Sequence, residues 1–111
     1  MATYVTKELK AVTGLTTTAA SLYSAPASTT TLVKTILLAN YTAVDRLATI
    51  HVVPSAGSVA GANKVFGEVL VAANTTTTID TAIVIPTGAS IHGLASANSA
   101  INIHISGVEI A

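Results

Sequence analysis

The chain has 111 residues, 9% of them charged and 50% hydrophobic, and its formal net charge is zero. That length gives one domain with room for a proper core. Disorder is excluded by the wealth of apolar and β-branched residues, and the scattered basic residues leave no electrostatic footprint for nucleic acid. There is no cysteine, so a disulfide framework, a thiolate nucleophile and a thiolate metal site are excluded too.

No apolar run approaches the roughly 18–20 residues of a spanning helix. A transmembrane barrel needs at least about eight strands and two aromatic girdles, and the chain has one Phe, three Tyr and no Trp. Its N-terminus lacks the apolar core of a signal peptide. No membrane partner is expected. A soluble domain carries about 25% charged residues, and a neutral, charge-poor surface gives poor colloidal stability. The composition therefore points to a protein whose surface is covered in an assembly, a homo-oligomer in the first instance.

In chain order, residues 1–17 come first. "VTKELKAVTG" has the only helical spacing and is too short for an isolated helix. We read 1–17 as an N-terminal arm that orders on contact. Tyr4, Val5, Leu9 and Leu15 are its apolar anchors and Lys7 and Lys10 its rim contacts, so these six are the candidate assembly residues.

Residues 18–111 read as one all-β domain, a sandwich or barrel. Its strands are "ASLYSA", "TTLVKTILLAN", "LATIHVVP", "NKVFGEVLVA", "TTIDTAIVI", "SIHGLAS" and "AINIHISGVEI". Short turn-rich connectors separate them, as in sandwiches and barrels. With no helix to cross between parallel strands, the pairing is antiparallel. Thr runs at 16–18, 29–31 and 75–78 suit half-exposed sheet surface without charge. In the last strand Ile101, Ile103 and Ile105 alternate with Asn102, His104 and Ser106. The phase then changes, and a bulge at Ser106–Gly107 is expected to return Val108 and Ile110 to the core.

Little here resembles catalytic chemistry. His51, His92 and His104 each fall in a strand. Zinc would need three strands to bring them together, and no local spacing supports that, so they read as solvent-face or interface residues. No G-x-S-x-G elbow occurs, the carboxylates form no readable acid/base pair, and "GSVAGAN" lacks the residues of a phosphate loop. Asp45–Arg46 reads as a solvated turn. Of the aromatics, Tyr23 and Phe66 read as core residues, leaving little for a sugar platform. No enzyme activity, cofactor or metal is expected.

The stretches "SLYSAPASTTTLVKTILLANYT", with Tyr23, Pro26 and Asn40, and "IPTGASIHGLASANSAINIHISGVEIA" resemble small phage virion proteins with a sandwich or jelly-roll fold. The resemblance covers roughly residues 20–111; "PASTTT" departs from it in lacking a Gly after the Pro. It implies an antiparallel β-sandwich of jelly-roll type and a structural role, above all a capsid cement or decoration subunit, or else a neck or tail accessory subunit. Such a subunit is often a trimer, bound to the major capsid protein or another virion protein on the capsid surface and made in the bacterial host cytoplasm. The alternative is a recognition module of a tail, neck or fibre that binds a host glycan or another virion protein.

Overall fold

The computed structural model describes residues 3–111. Eight strands run in chain order: β1 Tyr4–Gly14, β2 Ala20–Ser24, β3 Thr30–Asn40, β4 Arg46–Val53, β5 Lys64–Val71, β6 Thr75–Ile85, β7 Ser90–Ala95 and β8 Ile101–Ile110. One 3₁₀ turn, Gly61–Asn63, precedes β5. The strands form two four-stranded sheets, ordered β1-β8-β3-β6 and β2-β7-β4-β5.

The pairing follows from folding the chain back on itself. β1 pairs with β8, β2 with β7, β3 with β6 and β4 with β5, all antiparallel. Rolling up that nested hairpin adds the β3–β8 and β4–β7 pairings. The result is the eight-stranded jelly roll, one of the ways an all-β chain closes two sheets on one core. The expected all-β antiparallel sandwich is therefore what the chain forms.

Side-chain alternation explains most of it. Ile101, Ile103 and Ile105 of β8 point inward against Val33, Ile36 and Leu38 of β3 and against Ile50 and Ile91 of the facing sheet, all buried. Tyr23 is buried, and Phe66 is half-buried against the same core. Gly93 of β7 leaves room for its neighbours in the same sheet, since a Cβ there would meet Leu22 Cδ1 of β2 at 2.9 Å.

The N-terminal segment differs from expectation. Tyr4–Gly14 is strand β1, and it pairs with β8 from Tyr4↔Ile110 to Gly14↔Asn102. Leu9 and Leu15, expected as docking anchors, lie in the core. The alternation was masked because the register shifts twice, between Glu8 and Lys10 and between Lys10 and Thr13. Met1 and Ala2, part of the expected arm, lie outside the described residues.

The expected bulge in β8 is also displaced. β8 keeps its alternation throughout: Gly107 is buried, while Val108 and Ile110 are half-buried on the other face. The irregularities sit on its neighbours, at Leu9 in β1, opposite Ser106 and Ile105, and at Lys34 in β3, opposite Ser106 and Gly107. A Cβ on Gly107 would strike the Leu32 carbonyl oxygen and crowd Leu9. The glycine thus serves close approach by bulged neighbours, and Val108 and Ile110 do not return to the core.

Candidate assembly surface

A polar chain ties the two sheets together at the β1 end. The Tyr23 hydroxyl of β2 donates to Glu109 Oε2 of β8 at 2.5 Å. Its proton committed, it accepts from the Thr31 hydroxyl of β3 at 2.6 Å. Lys7 of β1 reaches both Glu109 oxygens at 3.3 Å. Burial, and then the Glu109 carboxylate, push the Tyr23 phenol up to about 12. The Tyr23 hydrogen bond, with Lys7 beside it, holds Glu109 below its ordinary value. A carboxylate satisfied on both oxygens in this way is a strut.

Exposed apolar side chains occur on the outer face of the β1-β8-β3-β6 sheet, and also at Val65 and Leu70 of β5 and at Tyr41 and Val44 between β3 and β4. Thr6, Val108, Leu32 and Val84 stand in one row across the four strands of that sheet. Val84 is 57% exposed, and Tyr4, flanking the row, is 70% exposed. The next row is polar: Glu8, Ser106, Thr35 and Asp80. His104 Nε2 lies 2.8 Å from Glu8 Oε2. Where β1 departs from regular pairing, two concavities open. One of about 480 Å³ is lined by Lys7, Glu8, Lys34 and Val108 among others. A smaller one, about 180 Å³, lies between Val12, Leu37, Ala39 and His104. Val12 is 65% exposed at its rim.

The candidate residues divide. Tyr4 and Val5 are exposed, Lys7 is engaged by Glu109, and Lys10 is half-buried. Leu9 and Leu15 are core residues and form no part of the surface. His51 and His92 face each other across β4 and β7, whereas His104 belongs to the other sheet. The three histidines do not meet, and no group of three His, Cys, Asp or Glu suited to a metal occurs among the described residues. Asp45 accepts from the Ala73 backbone N–H at 2.8 Å, fastening the turn before β4 to the one before β6.

Two asparagines hold the connections that follow β3 and β4. Asn40 is buried. Its amide donates to the Val44 and Val71 carbonyls, and its oxygen accepts from the Thr42 N–H and hydroxyl. Asn63 donates to the Ser58 carbonyl and accepts from the Ala60 N–H, closing the long β4–β5 loop. An Asn between strand and loop is the only signal either leaves in the sequence.

The molecule is thus a jelly-roll sandwich with an apolar row across the outer face of one sheet. No protein-family model matches the chain, and no curated protein does. Among solved structures it is similar to a chain of infectious bursal disease virus, Gx strain, with a TM-score of 0.54 and 15% identity over 99% of this chain and 32% of that one. It is also similar to a chain of the T13 viral particle of infectious bursal disease virus, with a TM-score of 0.53 and 12% identity over 99% of this chain and 30% of that one. At such identities the likeness is one of fold. This chain spans about a third of the length of those chains.

Proposed function

We propose that the chain is a non-catalytic structural subunit of a virus particle. The observation that carries this reading is the jelly-roll strand order, the architecture of many viral capsid domains, shared in fold with chains of a viral particle. The charge deficit supports it, since interface cores are depleted in charge.

In its finer form the reading is a phage capsid cement or decoration subunit, a homotrimer bound to the major capsid protein on the capsid surface. Many weak contacts between such subunits and the shell sum to a stable assembly. Tyr4, Val5, Lys7 and Lys10 supply contacts along β1, joined by Val12 and by the apolar row ending at Val84. Gradient-purified particles, made with and without this chain, test the proposal. The chain should co-purify at fixed stoichiometry, and particles lacking it should lose their contents at lower temperature. A chain absent from washed particles contradicts a virion role. A chain that is present, in particles whose shell stability does not depend on it, contradicts the cement role.

A further inference from the structure

We propose that His51 and His92 form a two-histidine site for a borderline divalent transition-metal ion such as zinc(II), nickel(II) or copper(II). The two residues are direct partners in the antiparallel β4–β7 ladder. Directly opposed side chains in such a ladder have Cβ atoms about 4.5–5.5 Å apart, a span that two imidazoles bridge to one ion.

His51 is prepared for the task. Its Nδ1 lies 2.9 Å from Asn63 Oδ1. Asn63 is held in one orientation, because its amide nitrogen donates to the Ser58 carbonyl while its oxygen accepts from the Ala60 N–H. The Asn63 atom facing His51 is therefore an acceptor, and His51 carries its proton on Nδ1. The lone pair is left on Nε2. An outer hydrogen bond of this kind, fixing tautomer and ring direction, accompanies metal-binding histidines. Although His51 is only 4% exposed, the one buried side-chain nitrogen or oxygen without a partner among the described residues is Arg46 Nε. The free Nε2 of His51 thus keeps contact with solvent.

His92 mirrors it. Its Nε2 lies 3.0 Å from Ser90 Oγ, a hydroxyl able to accept or donate, so an ion drawing on the Nδ1 lone pair is met by Nε2–H donating to Ser90. The row continues as Ser21 beside His92 and Lys64 beside His51, without a carboxylate. Two imidazoles and no carboxylate select nitrogen-seeking ions over calcium or magnesium. Water completes the coordination, and the bound ion braces β4 to β7 beneath the β4–β5 loop.

Isothermal titration of chelator-treated protein with zinc chloride at pH 7.5 tests the site. One ion per chain should bind, the His104→Ala variant should bind equally well, and His92→Ala should abolish binding. Asn63→Ala should weaken it by about 10–100-fold. Far-UV circular dichroism checks that each variant folds, and His92→Gln replaces His92→Ala if that variant does not. Absence of binding by the intact protein, or binding unchanged without His92, overturns the proposal. Neither outcome bears on the virion role.

Discussion

Tyr23 directs its hydroxyl proton across the gap between the sheets to Glu109, and the residue-scale predictions begin there. Tyr23→Phe leaves Glu109 Oε2 without its donor and the Thr31 hydroxyl without its acceptor. Hydrogen bonds to charged groups are worth about 1.5–3 kcal/mol, so urea unfolding should show a loss of that size. The pH dependence follows by sign. The folded chain holds Glu109 below its ordinary 4.5, so the unfolded chain takes up that proton first. The stabilisation is complete above about pH 4.5 and is lost as pH falls through the lower, folded value. In Tyr23→Phe that acid limb should shrink. His92 adds an earlier step of the same sign: the folded protein holds it below 6.5, so stability falls as pH drops below 6.5, a step that His92→Gln removes. At the alkaline end, absorbance titration should show one tyrosine ionising near pH 12, a step missing from Tyr23→Phe. An identical alkaline titration in the two proteins would contradict the strut.

At the scale of elements, β1 separates the jelly roll from a sandwich with a dispensable arm. It covers one edge of β8 and sends Leu9 into the core. Leu→Ala in a core costs about 2–5 kcal/mol, so Leu9→Ala should lower the urea midpoint accordingly. Removing residues 1–17 takes Leu15 as well and should abolish cooperative unfolding. A truncated chain that melts like the intact one would return β1 to the status of an arm. Gly107→Ala should cost about 1–3 kcal/mol, because the added methyl meets the Leu32 carbonyl oxygen. β8 was legible in the sequence because its buried residues recur at a period of two, and β3 because its buried residues do so on either side of the bulge at Lys34. In β1 the bulge at Leu9 breaks that period, and a bulge is set by neighbouring strands. The phase change after Ser106 was real as a pattern but wrongly assigned. Glu109, a charged residue at an inward position, is tolerated only because Tyr23, Thr31 and Lys7 converge from three other strands, which no local pattern reveals. The surface candidates fared likewise: exposure of Tyr4 and Val5 could be read from the chain, while the row Val108–Leu32–Val84 exists only once β8, β3 and β6 are set in register.

For the whole molecule, the question is what covers the outer face of the β1-β8-β3-β6 sheet and its apolar row. If that face is an assembly surface, Val84→Lys should lower particle occupancy and self-association while leaving the melting temperature within about 1–2 °C, since exposed substitutions change stability little. Sedimentation velocity at micromolar concentration should show a trimer for the native chain. A monomer would remove the homo-oligomer from the account. The most direct measurement is a cryo-electron microscopy reconstruction of the particle that contains this chain. The account predicts ordered density for the jelly roll on the shell, with Tyr4, Val12 and Val84 at a contact with a neighbouring subunit. Density showing that sheet face open to solvent, with the opposite sheet docked, would contradict the assigned surface. No ordered density for the chain anywhere on the particle would contradict the structural role itself.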